Sequence, residues 1–170
     1  MKKQNRWKRL LAGVLAGLSL LPAVPQMAQA KEYWPDGISA APPSTIVMEV
    51  NTGTILYEKK IHKQFYPASI TKIMTTLLAI ENCDMDEIVT FSADAVYNNE
   101  GDTSHIARDL DEQLTVEQCL YGIMLESANE CAYAIAEHVG QKLGGDYQTF
   151  IDLMNSRAKE LGCQDTHFNN

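Results

Sequence analysis

Between Gln64 and Ile80 the chain carries a single charge, Lys72, within a stretch whose apolar residues Ile70, Ile73, Met74, Leu77 and Leu78 recur at i, i+3, i+4, i+7 and i+8. That period predicts an amphipathic helix with those five residues on its core face. Lys72 falls on the other side, with Ser69, Thr75, Thr76 and Ala79. Solvated helix faces carry charges, so a face with one lysine among small and hydroxylated neighbours predicts coverage by more protein. A covered ammonium is costly unless it is paired or used. Ser69 lies one turn from Lys72, close enough for the two side chains to be neighbours. Burial lowers the pKa of a lysine, which suits it to take a proton from a serine hydroxyl. The helix N-terminus beside Ser69 adds partial positive charge that favours an oxyanion.

The same spacing occurs again at Ser156 and Lys159 and provides an internal comparison. At about 100° per residue this pair shares a face with Asp152 and Asn155, opposite Phe150, Met154 and Leu161. That is a solvated face, so the spacing alone carries no chemistry. A further candidate element is Ser127-Ala128-Asn129, between two helical segments. Serine and asparagine are preferred helix caps, and capping is one reading of this tripeptide. The other is a hydroxyl and an amide placed side by side, one to shuttle a proton and one to hold a substrate carbonyl.

The chain opens with Lys2, Lys3, Arg6, Lys8 and Arg9, continues through an apolar run at residues 10–21, and reaches Ala28-Gln29-Ala30. A basic start, a short apolar core and a small-x-small ending predict a secretory signal peptide over residues 1–30. The apolar run is shorter than the roughly 20 residues of a spanning helix. Its removal would leave nine basic residues against 22 acidic ones, a net charge of −13. Such a chain repels nucleic acid and anionic lipid, so neither is expected as a partner.

Residues 31–43, broken by Pro35, Gly37, Pro42 and Pro43, read as a linker. Two β-rich runs around Asn51-Thr52-Gly53 predict a hairpin. Residues 87–91 predict a short strand, and residues 92–114 read as mixed short elements and turns. Thr115 and Gln118 form a capping-box pattern ahead of a helix with Val116, Cys119, Leu120, Ile123 and Met124 on one face. A third helix is expected to close at Gly140 and a fourth at Gly162. Cys83, Cys119, Cys131 and Cys163 show no metal-ligand spacing; in an exported chain they permit disulfides, with three complete pairings, and the favoured reading is buried free thiols, since Cys119 and Cys131 fall where they would face a helical core.

Ser-x-x-Lys at Ser69, followed 58 residues later by Ser-x-Asn at Ser127, resembles the penicilloyl-serine enzymes, whose motifs are S-x-x-K, S-D-N and K-T-G. Within them, "PASITKIMTTLLAIE", "YGIMLESANECAYAIAEHVGQ", the hairpin "IVMEVNTGTILYEK" and the late "LGCQDTHFNN" are similar to the serine D-Ala-D-Ala carboxypeptidases, the low-molecular-mass penicillin-binding proteins. The resemblance covers residues 44–170.

It implies an α+β, β-lactamase/transpeptidase-like fold, a helical cluster with an antiparallel sheet. It further implies a hydrolase of the cell envelope, acting in cell-wall biogenesis and cell shape on a peptidoglycan pentapeptide ending in D-Ala-D-Ala and inhibited by β-lactams. Carried over residue by residue, Ser69 is the nucleophile that forms the acyl ester, Lys72 its general base, Ser127 the proton relay and Asn129 the binder of the substrate amide. No metal or organic cofactor is implied. Nor is a membrane attachment encoded once the signal is cleaved.

Two departures stand beside the resemblance. No Lys-Thr-Gly occurs in the 170 residues, so the chain reads as the N-terminal part of such a domain, truncated before that strand and without the wall of the cleft it supplies. Asp109 stands where a glycine-containing turn is expected. Two alternatives are a class A β-lactamase and a non-catalytic envelope protein that keeps the scaffold as a binding module or a degraded remnant. Ala128 in place of aspartate, and the absence of an E-x-x-L-N segment after residue 129, argue against the β-lactamase.

Overall fold

A computed structural model describes residues 40–98 and 103–170. The signal peptide expected at residues 1–30 and most of the expected linker lie outside the described residues. The chain divides between Lys60 and Ile61 into two compact units.

The described part of the first unit is a hairpin. Strands β1 (Thr45–Met48) and β2 (Ile55–Lys59) pair antiparallel, with Val47 opposite Tyr57 and Met48 opposite Ile55, so that Leu56 bulges from the ladder. Gly53, at φ 70°, supplies the left-handed residue of the connecting loop. The Glu49 carboxylate braces that loop, accepting from the Thr52 hydroxyl at 2.6 Å, the Thr52 N–H at 2.7 Å and the Asn51 N–H at 3.0 Å. These bonds, the Thr52 hydroxyl first, hold the carboxyl at about 2, below the ordinary 4.5.

The second unit is a helical body with one small sheet. A 3₁₀ turn at Ala68–Ile70 leads into α1 (Thr71–Asn82). Strand β3 (Ile88–Thr90), α2 (Ala93–Tyr97), β4 (Gln113–Thr115), α3 (Val116–Glu126), α4 (Asn129–Lys142) and α5 (Tyr147–Glu160) follow. β3 and β4 pair antiparallel, with Val89 opposite Leu114. Helix α4 is the centre, packing against α1, α2, α3, α5 and β3. It can serve five neighbours because its buried residues, Ala134, Ile135, Ala136 and Val139 among them, are mostly small and lie all round it.

α1 reverses one expectation. Ile70 and Ile73, placed on the core face by periodicity, are 67% and 59% exposed, whereas Thr75 and Ala79 on the lysine side are 5% and 0% exposed. The reason is the partner: α4 covers the side with small residues, where two backbones can approach closely, and Leu78 is the residue of the apolar stripe that follows them inside. Periodicity locates a stripe without saying which side a neighbouring helix takes.

The α3 capping box forms in both directions, Gln118 N–H to Thr115 Oγ1 at 3.1 Å and Thr115 N–H to Gln118 Oε1 at 2.9 Å. Val116, Cys119, Leu120 and Ile123 are buried as the pattern predicts, but Met124 is exposed and its sulfur accepts a hydrogen bond from Thr76 at 3.3 Å. α4 does not close at Gly140; it runs on to Lys142. Gly140 instead permits close packing, since a Cβ there would lie 1.9 Å from the Asp146 carbonyl oxygen at the start of α5. α5 ends near the expected Gly162, which sits at φ 88°. Cys119 and Cys131 are buried free thiols, Cys83 is half-buried and Cys163 exposed, with no disulfide among the described residues.

Candidate active site

Three short pieces of backbone converge on Lys72. Ser69 lies in the 3₁₀ turn just before α1, and Ala68 ahead of it takes the left-handed conformation at φ 49°. Lys72 is the second residue of α1. Ser127 caps the C-terminal end of α3 at φ 56°, where a non-glycine residue is strained. Buried Ala128 then joins it to Asn129, the first residue of α4. Gly122 lets this turn close, because a Cβ there would meet the Ile106 side chain at 3.0 Å and the Cys131 sulfur at 3.1 Å.

The two residue types best suited to cap α4 do not cap it. Its N-cap is Ala128, with no side-chain bond. Ser127 and Asn129 turn to the lysine instead: Lys72 Nζ donates to Ser127 Oγ at 3.1 Å and to Asn129 Oδ1 at 2.5 Å, and Ser127 Oγ donates to Ser69 Oγ at 3.0 Å. All four residues singled out in the sequence are thus brought into one hydrogen-bonded chain. Helical spacing made Ser69 and Lys72 direct neighbours; here the Ser127 hydroxyl is the bonded link between them, with no direct Ser69–Lys72 hydrogen bond among the described residues.

Burial pushes the Lys72 ammonium below the ordinary lysine pKa of 10.5, and the Glu130 charge opposes that shift. Glu130 is the residue that sequence reasoning missed. It is 2% exposed, and its Oε1 accepts the Ile106 N–H at 2.5 Å while Oε2 has no partner among the described residues. The Asn129 N–H donates to the Ser104 carbonyl at 2.9 Å, so Asn129 and Glu130 together pin the 104–106 segment to the head of α4. Arg108 holds the other side of that segment, donating to the Ile106 carbonyl at 3.0 Å and pairing with Glu112 at 2.6 Å. An acidic residue in the first turn of a helix is an ordinary dipole partner, and nothing local signals that this one is buried. The turn that follows puts its left-handed residue at Asp111, φ 62°, two positions after the Asp109 of the expected glycine turn; aspartate tolerates that conformation.

A cavity of about 700 Å³ opens beside the chain, and its lining includes Ser69, Lys72 and Asn129 together with Tyr133, Tyr147 and Met154. The two tyrosine rings stack with centroids 4.3 Å apart, giving their part of the lining a rigid apolar surface. The Ser69 hydroxyl, the Lys72 amine with its lowered pKa and the Asn129 carboxamide therefore line this cleft, and the Ser127 hydroxyl is hydrogen-bonded to the first two. The set is suited to acyl transfer.

The fold is that of the penicillin-binding, transpeptidase-like proteins. It is similar to the S216A mutant of the Streptomyces K15 DD-transpeptidase (TM-score 0.72, 32% identity, 79% of this chain and 54% of that one). It is also similar to penicillin binding protein 5 from Haemophilus influenzae (TM-score 0.67, 26% identity, 79% of this chain and 40% of that one). The chain belongs to the D-alanyl-D-alanine carboxypeptidase family, whose sequence model matches residues 28–170. The D-alanyl-D-alanine carboxypeptidase DacF of Bacillus subtilis (strain 168) is 36% identical over 172 residues, which span 96% of this chain and 42% of DacF. The chain thus spans about half the length, or less, of these relatives.

Proposed function

We propose that the protein is a serine-type D-alanyl-D-alanine carboxypeptidase that releases the terminal D-alanine of peptidoglycan stem peptides through an acyl-serine intermediate. The observation that carries this reading is the unbroken chain Ser69–Ser127–Lys72–Asn129 beside the cavity. Ser69 Oγ attacks the carbonyl of the penultimate D-alanine. With Lys72 neutral, the hydrogen bonds reverse direction: Ser69 gives its proton to Ser127, and Ser127 gives its own to Lys72. The same relay then protonates the departing D-alanine nitrogen as the peptide C–N bond breaks. Water attacks the resulting ester, and its second proton returns to Ser69. Asn129 holds Lys72 through Oδ1, which leaves its NH₂ for the substrate carbonyl.

β-Lactams are the corresponding inhibitors, acylating the same serine. The class A β-lactamase alternative has no specific support, since the relatives are carboxypeptidases and Ala128 stands inside the second motif. The basic start and the Ala28-Gln29-Ala30 ending support export with cleavage after Ala30. No described helix is long and apolar enough to cross a membrane.

The test is D-alanine release from a peptide ending in Lys-D-Ala-D-Ala, by protein recovered from its own cells. Release by the wild type, lost in Ser69→Ala, is expected; release that survives the substitution contradicts the reading. Intact mass of the same preparation should begin at Lys31, and a Met1 species in the envelope would contradict the cleavage.

A further inference from the structure

At the far end of α1, Cys83 takes an extended conformation (φ −128°, ψ 150°) as the chain leaves the helix. Glu87 follows just before β3, and His138 and Lys142 stand one turn apart on α4. The Cys83 sulfur, a Glu87 carboxylate oxygen and a His138 ring nitrogen all lie within 4.8 Å of one another. Sulfur, nitrogen and oxygen from three separate elements is the mixed donor set that borderline divalent cations take. The spacing hides it, because Glu87 and His138 are 51 residues apart in sequence.

The cluster already holds a cation. Lys142 Nζ donates to Glu87 Oε1, which also accepts the Asp84 N–H at 2.7 Å, while Glu87 Oε2 meets His138 Nε2 at 2.9 Å. These bonds, that of Lys142 first, hold the Glu87 carboxyl at about 2, so it is ionised throughout the neutral range. Glu87 and His138 side chains are about a quarter exposed and Lys142 is 41% exposed, so an ion can enter and the ammonium can leave toward water. Burial, then the Glu87 charge, push the Cys83 thiol up.

We propose that Cys83, Glu87 and His138 form a binding site for a zinc-class divalent cation, with the Lys142 ammonium as its built-in competitor. On binding, the Cys83 thiol loses its proton to solvent and ligates as the thiolate. His138 ligates through a neutral ring nitrogen, Glu87 through one oxygen, and water completes four-coordination. Two ligand charges then balance the ion, and Lys142 swings out. A tie between the end of α1, the start of β3 and α4 would stiffen three elements around the helical body. None of these residues belongs to the candidate active site.

Cobalt(II) is the probe, because thiolate ligation gives a sulfur-to-cobalt charge-transfer band in the near ultraviolet. Metal-free full-length protein titrated with cobalt should develop that band, saturate at one equivalent and lose it when zinc is added. Cys83→Ser should abolish the band, and His138→Ala should weaken cobalt binding by more than the roughly 10- to 100-fold that losing a partner outside the ligand set costs. Lys142→Met should tighten it several-fold. Cys163→Ser, which changes the exposed thiol, should leave it unchanged, and circular dichroism establishes that each variant is folded. No band in the wild type, a band that survives Cys83→Ser or one that disappears with Cys163→Ser would overturn the site. Unchanged affinity in Lys142→Met would overturn the competitor.

Discussion

Ser69 with Lys72 and Ser156 with Lys159 share a spacing, a residue order and a helical backbone, yet their surroundings differ in every respect. The first pair stands where α1 is covered by α4 and receives Ser127 and Asn129 from the α3–α4 turn. The second lies exposed on α5, with no side-chain hydrogen bond or ion pair to either residue among the described residues. Around it, Arg157 pairs with Glu81 at 2.6 Å and with Glu160 at 3.1 Å, as charges on a solvated face do. Burial pulls the Lys72 pKa down. The motif is therefore two residues of a site that a second segment completes, and what converts spacing into chemistry is the cover.

The largest expected effect separates the two serines. Ser69→Ala should reduce D-alanine release by roughly 10⁴- to 10⁶-fold, the scale of removing a nucleophile that acts as part of a unit. Ser156→Ala should leave kcat/KM and stability essentially unchanged. Comparable losses in both would erase the distinction.

The lysines come next. Lys72→Arg should cost about 10²- to 10⁴-fold, the range of a general base, because arginine stays protonated at every accessible pH. Lys159→Arg should be silent. In the wild type, Lys72 must be neutral to act, so acylation by a penicillin should fall as pH drops through its lowered pKa. A profile flat across that limb would remove lysine from the mechanism.

Ser127→Ala tests the cover itself, since it leaves the first pair without its bonded link. A loss of about 10²-fold or more in acylation is expected, with the melting temperature little changed. Near wild-type acylation would make the Ser127 bridge incidental.

The smallest effect belongs to Glu130→Gln. Removing the charge that raises the Lys72 pKa should move the acid limb of the acylation profile to lower pH. A role confined to holding Ile106 would change the rate without moving the limb.

The parts of this molecule legible in sequence are those decided locally. The hairpin at Asn51-Thr52-Gly53, the Thr115–Gln118 capping box and the solvated face of Ser156 and Lys159 each depend on residues within a few positions. The covered face of α1 was also legible, because the absence of charge around Lys72 is itself a local fact. What the sequence does not carry depends on which element arrives from elsewhere. That α4 is an element packed on α1, and that Ile70 and Ile73 of the apolar stripe stay exposed, is not written locally. Gly140 reads as a helix stop, but its lack of a Cβ serves the approach of Asp146. Glu130 looks like a first-turn acid and is instead buried against the 104–106 segment. The strand at Gln113–Thr115 exists because β3 is there to pair with it.

The most direct test of the account is to locate the acyl bond. Protein labelled with a penicillin, digested and mapped by mass spectrometry should carry a single penicilloyl group on Ser69, with Ser127 and Ser156 unmodified. An adduct on Ser156 would show that cover does not distinguish the two pairs, and one on Ser127 would exchange the nucleophile with its relay.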